Sequence, residues 1–293
     1  MTTPARDCVC RFTPRGIAAP PRIGAIVDDA VVDLSAAGVA SLAAILDAAD
    51  PAAVVREAVA KGGPRHRRDE VVLLPPVERQ EVWAAGVTYL RSKTARMEES
   101  DFSATAYDRV YDAPRPEIFF KAMAEKVVGP GGGLGIRADA KWNVPEPELA
   151  LVMNSRGAIV GCTIGNDMSS RDIEGENLLY LPQAKVYDRS CGLGPWIVLG
   201  GDEAEARGWT VAITIHRGGR EVFAGTTRID QIKRSFSELA GWLWRSQSFP
   251  HGVVLLTGTG VVPDESFTLA PGDRVTITID GIGTLENEVM TVG

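Results

Sequence analysis

Histidine and cysteine are scarce in this chain of 293 residues, which carries three of the first and four of the second. His66, His216 and His251 are scattered, Cys162 and Cys191 stand alone, and Cys8-Val9-Cys10 has no second pair at ligand spacing. That excludes a zinc finger or ribbon. In a reducing compartment such thiols are packing residues. No apolar run reaches the roughly 18 residues that span a bilayer. The N-terminus lacks the continuous apolar core of a secretory signal. The expectation is a cytoplasmic protein with no membrane partner.

Positive charge is also short. Lys and Arg number 31 against 38 Asp and Glu, a net charge of −7. Phosphate contacts need a basic surface, so nucleic acid is excluded as a general partner. The one basic cluster, at 61–68 with Arg65-His66-Arg67-Arg68, reads as a solvated linker. No internal repeat or low-complexity tract is visible. Gly131-Gly132-Gly133-Leu134-Gly135 has the look of a phosphate loop, but Pro130 precedes it and no Lys-Ser/Thr follows. It reads as a loop turn.

What is present is enough apolar residue, 45%, for one large domain with a smaller appendage. In the first 70 residues, 23–27 and 31–34 flank Asp28-Asp29 as a hairpin. Residues 41–60 are Ala-rich with helical spacing and stop at Lys61-Gly62-Gly63-Pro64. A strand at 71–74 then runs into Pro75-Pro76, which we take as a boundary between a small α/β unit, 1–76, and a catalytic unit, 77–293. Beyond it, strands are predicted at 81–87, 117–122, 148–153, 158–164, 195–199, 210–216, 221–227, 253–257 and 273–279. One amphipathic helix is predicted at 229–246, with Ile232, Phe236, Leu239 and Leu243 on one face. The fold class is α+β, mainly β. Trp83, Trp142 and Trp196 read as core or interface aromatics.

The stretch Pro145-Glu146-Pro147-Glu148-Leu149-Ala150 concentrates the chemistry. Glu146 and Glu148 sit two apart where an apolar strand begins, so both carboxylates point to one face. Like charges so placed repel unless a cation lies between them. Oxygen ligands alone suit a hard ion, Mg²⁺ or Mn²⁺, better than zinc. The plain alternative is a pair of solvated glutamates on an edge strand.

Ordered motifs surround the pair. Val110-Tyr111-Asp112-Ala113-Pro114-Arg115-Pro116-Glu117-Ile118-Phe119-Phe120-Lys121 precedes it. Gly165-Asn166-Asp167-Met168-Ser169-Ser170-Arg171-Asp172, Leu181-Pro182-Gln183-Ala184-Lys185 and Thr257-Gly258-Thr259-Gly260 follow. Together, over residues 80–293, they resemble the fumarylacetoacetate hydrolase family. The resemblance implies a mixed β-roll catalytic domain and a divalent ion on Glu146, Glu148 and Asp167. It also implies a homodimer or homotetramer and a small 2-keto acid as substrate. Arg171 and Asp172 read as a structural ion pair that holds the metal loop.

Hydrolases of the family carry a His shortly after a Gly-x-x-Tyr. Here Gly86-Val87-Thr88-Tyr89 leads to Ser92 at that position, and no His lies between 66 and 216. Cleavage of C–C bonds by activated water thereby loses its usual base. The motifs are most similar to the dehydratase branch, which acts on 2-keto-3-deoxy sugar acids. The implied reaction takes a 2-keto-3-deoxy pentonate to 2-oxoglutarate semialdehyde, in non-phosphorylative pentose catabolism. Lys185, expected on a loop, and Glu117 are the candidate base and acid, in either order. Tyr89, Phe119, Gly258 and Thr259 are candidates for substrate contact, with Tyr89 equally able to pack and the Thr-Gly-Thr-Gly turn offering amides to a carboxylate. Two other readings stand beside this one: a metal-dependent hydrolase or decarboxylase of 2-keto acids, and a non-enzymatic sugar-acid-binding protein.

Overall fold

The computed structural model describes residues 6–89 and 109–293. Strands dominate, as expected. The largest sheet has twelve strands. Its order runs Arg65–Arg67, Ala30–Asp33, Arg22–Val27, Cys8–Pro14, Cys191–Leu199, Ile159–Asp167, Pro147–Met153, Val253–Leu256, Glu81–Gly86 and Glu117–Ala122. Val71–Leu74 and Val127–Val128 join it off this path. A second sheet of five strands runs Arg220–Arg228, Thr210–Arg217, Arg274–Ile279, Gly283–Val292 and Gly133–Arg137.

The large sheet is continuous across residue 76. Cys8 pairs with Val198 and Val9 with Ile197, so the N-terminal strands extend the same sheet that carries the carboxylates. The N-terminal helices pack on an apolar cluster shared with Ala150, Ile197 and Leu256. All four cysteines are free and buried. Among the described residues, no helix is long and apolar enough to cross a membrane.

Several elements differ from the sequence prediction for local reasons. The helix expected at 41–60 is two, Leu42–Leu46 and Pro51–Ala60. Pro51 fits only a first turn, and Asp50 caps it by accepting from the Ala53 amide. The helix expected at 229–246 is confined to Phe236–Leu243, because Ser235 caps it there. Ile232 falls before that cap and forms an antiparallel bridge with Tyr89. The glycine run is a turn only at its start: Gly131 takes φ +74°, and Gly133–Arg137 pairs in parallel with Gly283–Val292. That last strand lay beyond the predicted ones, although Leu285, Asn287 and Val289 are buried at the period of two that marks a half-buried strand. The hairpin is as expected, with Asp28 and Asp29 at φ 47° and 62°, the left-handed turn that suits strand twist. Trp196 is fully buried and donates to the Ile282 carbonyl, while Trp83 and Trp142 are half-buried.

The strand Pro147–Met153 is buried along all seven residues between Ile159–Asp167 and Val253–Leu256. An edge strand with solvated glutamates is thereby ruled out. Leu151, 1% exposed on this strand, sits in the core. Leu151→Ala should cost about 2–5 kcal/mol of unfolding free energy, read from the midpoint of a urea titration at unchanged slope.

Candidate metal centre and active site

Glu146 directly precedes the central strand and Glu148 is its second residue, while Asp167 ends the neighbouring strand. The two strands pair Pro147 with Asn166 and Glu148 with Gly165. Local bonds lock this corner. The Glu146 amide donates to Asn166 Oδ1 at 3.2 Å, and the Asp167 amide donates to the Glu146 carbonyl at 3.0 Å. The three carboxylates each offer an oxygen, and these oxygens lie within 4.8 Å of one another. All three are buried, at 3%, 2% and 1% exposure for Glu146, Glu148 and Asp167.

Cations close around them. Lys185 Nζ donates to Glu146 Oε2 at 2.8 Å, Asp167 Oδ2 at 3.1 Å and Ser169 Oγ at 2.5 Å. Lys185 ends the short helix Leu181–Lys185 and is fully buried, so it is not on the expected loop. Arg171 holds Glu146 Oε1 from Nη2 at 2.9 Å and from Nε at 3.1 Å. The expected pair with Asp172 does not form. Asp172 accepts the Lys141 amide at 2.7 Å instead, and Arg171 turns inward because Glu146 and Glu174 are both buried beside it. Lys121, which sequence reasoning passed over, ion-pairs with Asp167 Oδ1 at 2.5 Å. Its signal was a charged residue inside the otherwise apolar end of the strand Glu117–Ala122.

The cleft above the carboxylates is also lined by Ala85, Gly86, Val87, Phe119 and Thr259. Phe119 presents its ring 5.8 Å from Lys185 Nζ. Glu117 opens the same strand, and its carboxylate lies so close over Gly86 that a Cβ there would collide with it. Gly258 donates its amide to Glu148 Oε2 at 2.6 Å, so part of the Thr-Gly-Thr-Gly turn holds a carboxylate of the chain itself. Only glycine suits that point: φ is +89° and a Cβ would strike Thr88 Oγ1. Thr259 donates to the Val261 carbonyl at 3.1 Å. Tyr89 is 1% exposed, packs in the core and does not line the cleft. Burial and the Glu148 charge hold its phenol well above the usual range. Ser92 lies outside the described residues.

Charge decides whether a divalent ion fits. Four buried carboxylates, with Glu174 the fourth, face three buried cations, Lys121, Arg171 and Lys185. The cluster is one positive charge short when all are ionised. Burial first, then the charges of Asp167 and Glu146, push the Glu148 carboxyl well above the usual carboxylate range. A divalent cation relieves that repulsion, and an all-oxygen donor set suits Mg²⁺ or Mn²⁺.

A raised carboxyl pKa favours the protonated form in the metal-free fold. Its stabilising contribution is present below the unfolded value and is lost as pH rises through the folded one. A bound cation needs the carboxylate, so metal binding expels that proton and strengthens as pH rises. Mg²⁺ at one hundred times its dissociation constant should add about 2.7 kcal/mol of stability. Thermal melts should show that increment shrinking on acidification, and EDTA or Glu148→Gln should abolish it.

Comparison with known proteins places this geometry. A family model described as fumarylacetoacetate (FAA) hydrolase C-terminal matches residues 81–290. A Haloferax volcanii protein named "Probable 2-keto-3-deoxyxylonate dehydratase" is 51% identical over 217 residues, 74% of each chain. The 2-dehydro-3-deoxy-D-arabinonate dehydratase of Saccharolobus solfataricus is 40% identical over 220 residues, again 74% of each. A solved structure of 2-keto-3-deoxy-D-arabinonate dehydratase complexed with magnesium and 2,5-dioxopentanoate superposes with a TM-score of 0.80 at 33% identity, covering 97% of this chain and 99% of that one. The chain belongs to the fumarylacetoacetate hydrolase family.

Proposed function

We propose that this protein is a magnesium-dependent dehydratase that converts a 2-keto-3-deoxy pentonate into 2,5-dioxopentanoate, which is 2-oxoglutarate semialdehyde. The observation that carries the reading is the buried triad Glu146, Glu148 and Asp167 with the Lys185 ammonium against two of its members. The relatives supply the substrate class. We further place the enzyme in the cytoplasm as a homodimer or homotetramer, which light scattering on the purified protein tests.

Glu146, Glu148 and Asp167 would hold the ion. When bound, it polarises the 2-keto oxygen, makes the C3 protons acidic and favours the neutral amine of Lys185. Lys185 takes a C3 proton, for which its place over the carboxylates and beside Phe119 suits it. Glu117, on the other wall beside Gly86, gives a proton to the C4 hydroxyl, which departs as water. A double bond between C3 and C4 results. C5 then loses a hydrogen and its hydroxyl proton while C3 and C4 each gain one, leaving the C5 aldehyde. Phe119 shields the reacting carbons from bulk water, and Thr259 lines the same cleft.

Incubation of 2-keto-3-deoxy-D-pentonate with protein and Mg²⁺ should yield the semialdehyde, followed by coupled NAD(P)⁺-dependent oxidation, and EDTA should stop it. Lys185→Met and Glu117→Gln should each lower kcat by about 10²–10⁴, and Glu117→Gln should still bind Mg²⁺. Cleaved fragments, or no product with any divalent ion, would overturn the dehydratase reading.

A further inference from the structure

The strand Glu117–Ala122 carries three functional side chains: Glu117 and Phe119, two apart on one face, and Lys121, at the register shift opposite Val82 and Trp83. Phe119 lines the cleft described above, and the Glu117 carboxylate lies against Gly86 of its wall. The third, Lys121, is 0% exposed and does not itself line the cleft, although it touches two residues that do. Its ammonium donates to the Met168 carbonyl at 2.9 Å and to the Lys185 carbonyl at 2.5 Å, and it ion-pairs with Asp167 Oδ1 at 2.5 Å. Tyr187 covers it from the side, with the ring centroid 5.9 Å from Nζ.

An isolated ammonium so deep in a protein costs several kcal/mol unless it is paired and bonded. Here two of its N–H groups donate to backbone carbonyls and its charge lies against Asp167 Oδ1, so the three partners come from two separate parts of the chain. Asp167 ends the metal strand and Met168 follows it directly, and Lys185 is the last residue of the short helix. By pairing with Oδ1, Lys121 leaves Oδ2 to accept from Lys185. By holding the Lys185 carbonyl, it fixes the backbone from which the other ammonium extends.

We propose that Lys121 is a positioning residue that sets the orientation of Asp167 for the divalent ion and ties the Lys185 helix to the same point. One ammonium therefore couples metal ligand, candidate base and, through its own strand, candidate acid. The inference rests on the metal reading of the triad and does not depend on the dehydration reaction.

The test is binding of Mn²⁺ followed by electron paramagnetic resonance, with thermal melts reporting folding. The unaltered protein should bind one ion, and failure to do so would remove the metal reading and this inference with it. Partners of metal ligands typically carry 10–100-fold in affinity, so folded Lys121→Met should bind Mn²⁺ at least tenfold more weakly. A folded Lys121→Met that binds within twofold of the unaltered protein would overturn the proposal and leave the metal reading intact. The same substitution in an Asp167→Asn background removes both ends of the pair, so no buried charge is left alone. That double variant should bind as Asp167→Asn does, within twofold. A further tenfold loss there would show that Lys121 acts on metal binding by another route, and the orientation of Asp167 would be discarded as its role.

Discussion

Three carboxylates that are almost wholly buried must share one small space, and the middle of the structure is arranged around that repulsion. Coulomb energy between neighbouring charges grows steeply once solvent is removed. Glu148 shows the consequence, since its carboxyl is pushed toward the neutral form although a backbone amide and Lys185 favour its charge. The fold answers with three fixed cations from three different elements. Lys121 comes from a strand, Arg171 from the start of a helix and Lys185 from the end of another. Each binds a carboxylate oxygen at 3.1 Å or less.

Such a cluster is a poor source of stability, because desolvation offsets most of the attraction between buried ions. Its stiffness must come from elsewhere. The two central strands and their neighbours supply it: a run of seven buried residues, paired on both sides, ends at the glutamates. The turn at Gly258 then closes over Glu148 with a bond available only where no side chain stands on the turn. Rigid surroundings with a strained centre are what a metal site on a β-scaffold needs, since the ion then enters a prepared shape.

Much of this was legible in the sequence. The Glu-x-Glu spacing at a strand start put two carboxylates on one side, and the Asn-Asp motif supplied the third. Nine strand positions from 81 to 279 followed from apolar runs between Gly, Pro and Asp, while Gly133–Arg137 was read as a turn and is a strand. What escaped was governed by contacts distant in sequence. Nothing local told Arg171 to turn from Asp172 to Glu146, a residue 25 positions away. Lys121 looked like the end of an apolar strand, and its burial depends on carbonyls 47 and 64 residues further on. Lys185 was expected on a loop, yet it ends a short helix whose first turn suits Pro182. The boundary at 76 marks a change in local pattern, while strand pairing runs across it.

The charge count also bears on which acids the site accommodates. With every group ionised, the four carboxylates exceed the three cations by one charge. With a divalent ion bound, Lys185 as the free amine that takes the C3 proton and Glu117 protonated as the acid, the cluster is neutral, and one substrate carboxylate leaves a single negative charge. A 2-keto-3-deoxy pentonate carries one carboxylate, and the rest of its chain is hydroxylated and neutral. A dicarboxylic keto acid brings a second negative charge, which the described side chains leave unmatched beside Glu146, Glu148 and Asp167. Burying that charge costs free energy whichever way the molecule lies. The same cations that let three carboxylates coexist therefore set the cleft for a singly charged 2-keto acid.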